Sequence, residues 1–113
     1  MRLAEVQTAL GLESLTPGDS ERQVSWGFCS DLLSDVLAHA RPQDLWITHQ
    51  RHLNVVAVAK LRGVAGVVCV RRQRPSPEVL AKAREEGVAI MLAAEDAFEV
   101  AGKLYRLLTS AGR

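Results

Sequence analysis

The sequence predicts an α/β protein of three layers, with helices on both faces of a mostly parallel sheet. Short apolar runs rich in Val and Ile alternate with segments whose apolar residues recur at helical spacing. Gly11, Gly63 and Gly87 stand just past the ends of three helical segments, and Pro77 stands just inside the start of one. Strands alternating with helices in this way are joined by right-handed crossovers between parallel neighbours.

In chain order, residues 2–10 place Leu3, Val6 and Leu10 on one helical face and stop at Gly11. Residues 12–18 suit a short strand that turns at Thr16-Pro17-Gly18-Asp19, and residues 23–29 alternate Val24, Trp26 and Phe28 as a strand does. Ser30-Asp31 reads as a helix start, followed by the apolar stripe Leu32, Leu33, Val36 and Leu37 and ended by Arg41-Pro42. Residues 45–48 form a buried strand leading into the polar loop 49–52. Residues 54–61 mix Val with Ala, Lys and Leu, and the alternation of neighbouring elements decides for helix, closed by Gly63. Residues 64–70 are apolar and rich in Val, as a central strand requires, and 71–75 form a charged exit loop.

Ser76 caps the next helix and Pro77 opens it; Val79, Leu80 and Ala83 face inward, and Glu78 pairs with Lys82 on the outside. Residues 88–92 are a further strand. A final helix over 95–108 carries Phe98, Ala101, Leu104, Tyr105 and Leu108 on one face, and Gly102 within it suggests close packing. Trp26 and Trp46 are expected in the core.

With 113 residues, 48% of them hydrophobic, the chain can build one core, and a single domain over 1–113 is expected. Fourteen Lys and Arg against thirteen Asp and Glu leave a formal charge of +1, so no global field draws the protein to nucleic acid or an anionic membrane. Any anion site must be local. No apolar run approaches the ~20 residues of a membrane span, and residues 1–10 lack the apolar stretch of a signal peptide, so a cytoplasmic location is expected. Cys29 and Cys69 lie in apolar segments and are expected as buried, reduced thiols.

Four stretches are similar to the DRTGG domain family: Ser-Asp-Leu-Leu-Ser-Asp-Val-Leu (30–37), Leu-Trp-Ile-Thr (45–48), Gln-Arg-His-Leu-Asn-Val-Val-Ala-Val-Ala (50–59) and Arg-Pro-Ser-Pro-Glu-Val-Leu (74–80). Residues 90–94 and Asp-Ala-Phe-Glu (96–99) continue the match in the same order. The resemblance implies an α/β/α fold like the amino-terminal domain of HPr kinase/phosphorylase, a regulatory or assembly role, dimerisation, and in some members adenine-nucleotide binding. Such domains resemble accessory domains of phosphotransacetylases and of CBS-domain pyrophosphatases, and none of these roles makes the domain a catalyst. Gln50-Arg51 stands where the family has Asp-Arg. Val70-Arg71-Arg72 replaces Thr-Gly-Gly, losing two glycines that let backbone amides approach a phosphate.

In open parallel sheets ligands bind beyond the carboxyl ends of the strands, which selects the loops 48–54 and 70–76. Thr48, His49, Arg51, His52, Asn54, Arg71 and Arg72 are the candidate ligand-binding residues, with guanidinium groups to pair an anion and imidazoles to orient it. The bland alternative is a polar loop in which His52 and Asn54 cap a helix, beside a solvated cluster formed by Arg71, Arg72 and Arg74. His49 and His52 have no third metal ligand nearby, so no metal is expected, and no cofactor is implied. A phosphate-binding Gly-x-x-x-x-Gly-Lys-Ser/Thr loop and a nucleophile with its base are both missing, so the protein is not expected to be an enzyme. Asp31, Asp35, Asp44, Glu95 and Asp96 are read as helix-capping or helix-surface groups. The expectation is a regulatory module for a small anionic ligand or nucleotide; the alternative is a ligand-free subunit that forms a homodimer or docks on a larger protein.

Overall fold

The computed structural model describes residues 1–110. Five helices and five strands follow one another as α1 (Leu3–Leu10), β1 (Glu13–Thr16), β2 (Trp26–Cys29), α2 (Leu33–His39), β3 (Asp44–Thr48), α3 (Leu53–Arg62), β4 (Gly66–Cys69), α4 (Pro77–Glu86), β5 (Ile90–Leu92) and α5 (Ala97–Ser110). The sheet order is β1-β5-β4-β3-β2, parallel throughout except for β1, which pairs antiparallel with β5. The predicted three-layer α/β/α architecture is therefore the observed one.

Because the parallel strands advance in one direction from β2 to β5, crossovers of one hand place α2, α3 and α4 on the same face. Trp46, Val67, Cys69 and Ile90 point into that layer beside Val36, Val55, Val56, Val79 and Ala83. Leu45, Ile47, Val68 and Met91 point the other way, against Leu3, Val6, Val100, Leu104 and Leu108 of α1 and α5. This period-two alternation puts apolar residues on both sides of the central strands, which is why their sequences read as unbroken apolar runs.

At the antiparallel edge the pairing of β1 shifts register between Ser14 and Thr16. The buried Thr16 hydroxyl bridges that break, donating to Val88 O at 2.8 Å and accepting from Ile90 N at 2.8 Å. A side chain thus restores the ladder contacts that the bulge removes.

Several expectations are corrected. Cys29 is exposed, because β2 is the outer strand and its last residue projects where no further strand covers it. Trp26, also on β2, is only half-buried and meets Tyr105 edge-on at 5.5 Å between ring centroids, whereas Trp46 on the inner strand is fully enclosed. On α5 the inward residues are Val100, Leu104 and Leu108, at exact four-residue spacing, which turns Phe98 (87% exposed) and Tyr105 (61% exposed) outward. Gly102 faces open space; the glycine that lets α5 come close is Gly27 of β2, where an added Cβ would lie 2.8 Å from Leu104 Cδ2. Only Val36 of the α2 stripe is fully buried, with Leu33 packed partly against the core and Leu32 and Leu37 exposed on this short helix. Lys82 reaches Glu85 and Glu86 (3.8 and 4.0 Å), while Glu78 lies at the mouth of a cleft at the helix start. Asp44 is the buried first residue of β3, and its carboxylate accepts from Arg41 N at 2.8 Å to hold the turn before the strand.

Candidate functional site

The parallel strands β2 to β5 all end on the same edge of the sheet, and the loop 49–52 and the exit loop of β4 meet there at the starts of α3 and α4. Between them lies an open cleft of about 490 Å³ lined by His49, Gln50, Arg51, His52, Leu53, Arg74, Ser76, Glu78 and Val79. Apolar burial of Val55, Val56 and Val79 anchors the two helices under it, so its floor is built on rigid elements while its rim is polar.

His52 occupies the position just before α3 but its side chain makes no capping bond to the helix. The predicted capping role of His52 is thus replaced by a place in the cleft wall. At α4 the expected cap is formed: Ser76 Oγ accepts from Val79 N at 3.4 Å, with Pro77 in the first turn. Two helix N-termini therefore border one cleft whose walls carry Arg51 and Arg74 against one carboxylate, Glu78, with Arg74 also paired to Glu13 at 2.9 Å; the helix ends and the net positive lining favour a negative occupant.

The loop is held from below by a residue read from sequence as a helix start. Asp31 precedes α2 without capping it; Ser30 Oγ accepts from Leu32 N at 3.1 Å instead. The parallel register of β2 on β3, with Cys29 opposite Ile47, delivers Asp31 to the end of β3. There Asp31 Oδ1 accepts from Thr48 Oγ1 (2.8 Å) and His49 N (2.7 Å), and Oδ2 lies 3.1 Å from His49 Nδ1. Gln50 Nε2 donates to the Asp31 carbonyl at 2.9 Å. Partial burial pushes the Asp31 carboxyl upward, but the His49 backbone N–H, the Thr48 hydroxyl and the His49 ring together hold it below its ordinary value.

Among the seven residues singled out from sequence, the structure brings His49, Arg51 and His52 together in the cleft. Thr48 is buried beneath it and bonded to Asp31; Asn54 is exposed on the first turn of α3. Arg51 lies close enough to Cys69 to oppose, by its charge, the burial that pushes the Cys69 thiol up to about 11. The second arginine of the cleft is Arg74 rather than Arg71 or Arg72.

Arg71 and Arg72 follow β4 with φ of 58° and 55°, the left-handed region that glycine occupies most easily. Their amides donate to Glu95 O at 2.8 Å and Ala93 O at 2.9 Å, tying the exit of β4 to the exit of β5. The backbone shape that two glycines would favour is retained, and its N–H groups are already bound within the protein. At Arg71 and Arg72 the groups left to meet an anion are therefore the guanidinium groups, which suit phosphate oxygens through paired N–H donors.

Sequence reasoning missed Asp31, Gln50 and Glu78. Nothing local marks Asp31, because its partners are some 18 residues away and only the strand register joins them.

No curated protein matches the chain closely enough to count as a relative. The sequence model of the DRTGG domain matches residues 5–107. Among solved structures, the chain is similar to the CBS and DRTGG domains of the regulatory region of Clostridium perfringens pyrophosphatase, crystallised with its activator diadenosine tetraphosphate. That match has a TM-score of 0.68 at 12% identity and covers 91% of this chain and 47% of the other, so this chain spans about half of that structure.

Proposed function

Because the chain belongs to the DRTGG domain family, we propose that it is a non-catalytic regulatory module that senses a small anionic ligand through the cleft between loop 49–52 and α4. The observation that carries this reading is the convergence of Arg51, Arg74, His49 and His52 on a cleft of about 490 Å³ bordered by two helix N-termini. Pockets that hold whole small molecules run from about 300 to 1,000 Å³, so a nucleotide is within its capacity. The clostridial regulatory region was crystallised with a nucleotide activator, and an adenine nucleotide is the most specific form of the proposal. Arg51 and Arg74 supply charge and His49 and His52 orient the anion; Thr48 acts through its bond to Asp31, while Asn54, Arg71 and Arg72 lie outside the lining of this cleft.

Thermal denaturation with adenine nucleotides, diadenosine tetraphosphate, acetyl phosphate and inorganic anions tests this. A ligand at a hundred times its Kd stabilises the native state by about 2.7 kcal/mol, which for a domain of this size raises Tm by roughly 10 °C. The expected result is such a rise with at least one of these compounds, lost in Arg51→Ala. A rise that survives in both Arg51→Ala and Arg74→Ala would refute the site.

A second reading is favoured by a different observation. Phe98 and Tyr105 stand exposed seven residues apart on α5, and Tyr105 meets Trp26 of the outer strand β2. Exposed apolar groups gathered at a sheet edge are where a protein partner docks, a second copy in a homodimer or a larger protein. Sedimentation of the wild type beside Phe98→Ser/Tyr105→Ser separates the cases: a dimer dissociated by the double variant supports self-association, and a monomer in both directs attention to another protein.

A further inference from the structure

Arg74 is common to two clefts. One is the anion cleft already described; the other, about 500 Å³, opens beyond the end of β5 beside the start of β1 and includes Glu13 and Arg72 in its wall. Arg51 belongs to the first cleft and Arg72 to the second, so three guanidinium groups are distributed across both openings. The exit loop of β4 supplies two of them, and the Arg71, Arg72 and Gln73 amides are bonded to Glu95, Ala93 and Val70, so at these three positions the side chains and not the backbone donors face a ligand.

Glu13 holds Arg74 at 2.9 Å, with both side chains more than half exposed. An exposed pair of this kind is weak, and a multiply charged anion competes with it readily. A single phosphate would occupy only a small part of either cleft, since each has the volume that accommodates a whole small molecule.

We infer that the ligand is an extended oligophosphate, longer than a diphosphate, laid across Arg74 with one end toward Arg51 and the other toward Arg72. The inference rests on the reading of the first cleft as an anion site and adds the chemical class of its occupant. Free oligophosphates and nucleoside oligophosphates share this chemistry.

The test is calorimetric titration of the wild type, Arg51→Ala and Arg72→Gly with orthophosphate, pyrophosphate, tripolyphosphate and tetrapolyphosphate, and with ATP beside tripolyphosphate. Glycine is chosen at position 72 because it removes the guanidinium while keeping the left-handed backbone. The wild type is expected to bind the longest chain about tenfold more tightly than pyrophosphate, the effect of added charge-assisted contacts. Arg72→Gly is expected to flatten that series, and Arg51→Ala to weaken all of it. A wild-type series that stops rising at pyrophosphate, or a rise that persists in Arg72→Gly, overturns the inference. If Arg51→Ala still abolishes binding in that case, the first cleft stands as an anion site for a compact ligand. Failure of every phosphate to bind overturns both. ATP binding more tightly than tripolyphosphate supports the inference with a nucleoside carrier, and equal binding supports it with the phosphate chain alone.

Discussion

Replacing Arg71 and Arg72 by glycine is expected to stabilise the protein. Both residues hold φ near 55–58°, where a Cβ crowds the backbone at about 1–2 kcal/mol per residue. Neither side chain makes a hydrogen bond or ion pair among the described residues, and both are exposed. The amide bonds to Glu95 O and Ala93 O survive the change because glycine keeps its N–H. Against the relief stands the greater freedom of glycine in the unfolded chain, about 0.5–1 kcal/mol per site. The balance is a gain of roughly 0.5–1 kcal/mol per substitution, and about 1–2 kcal/mol for the pair if the neighbours do not couple strongly. In Tm that is about 4–8 °C for the double variant. Urea denaturation of Arg71→Gly, Arg72→Gly, the double variant and the matched alanine variants measures it, with unchanged m-values as the sign that the unfolded ensembles compare. The alanine variants are the decisive control: they delete the same guanidinium but keep the Cβ, so they should show little or none of the gain. Alanine variants as stable as the glycine variants would mean that charge relief, not backbone conformation, is responsible.

Further perturbations read other parts of the fold. Thr16→Val keeps the shape but leaves Val88 O and Ile90 N without their shared hydroxyl partner, so denaturant unfolding should show a loss of about 1–3 kcal/mol; no loss would mean that the bulge relaxes. Gly102→Ala, in open space on α5, should gain about 1 kcal/mol from helix propensity, and Gly27→Ala, with Leu104 Cδ2 in the way, should cost about 1–3 kcal/mol; equal thermal midpoints would contradict the packing. Despite partial burial, the hydrogen bonds from His49 and Thr48 hold the folded Asp31 carboxyl below its ordinary range, so its contribution is present above the unfolded pKa and is lost as the pH falls through the folded pKa. Asp31→Asn should therefore flatten the acid limb of stability against pH below about 4, and an unchanged limb would place the acid sensitivity elsewhere.

The architecture was legible because its signals are local. Gly63 and Gly87 adopt left-handed φ at helix ends, Pro77 opens α4 after the Ser76 cap, and the apolar runs of β3 and β4 are buried on both faces. Misplaced details share a cause, which is that a helical apolar stripe wide enough to include Phe98 and Tyr105 does not say where the facing sheet ends. That β2 is the outer strand decides the exposure of Cys29, Trp26 and the far flank of α5.

The site divides in the same way. His49, Arg51 and His52 could be chosen from sequence because they cluster between a strand and a helix, and parallel sheets put such loops at one edge. Asp31 could not, because its role is created by the register of β2 on β3. The choice of Arg74 over Arg71 as the partner of Arg51 follows from how a loop with two left-handed residues turns, a conformation that arginine codes do not announce. The sequence alone thus determined the family, the layering and the polar loops of this protein, since propensity and periodicity act within one segment. Which side chains face one another across those loops was decided only by the packing of strands distant in the chain, where register and twist act over the whole sheet.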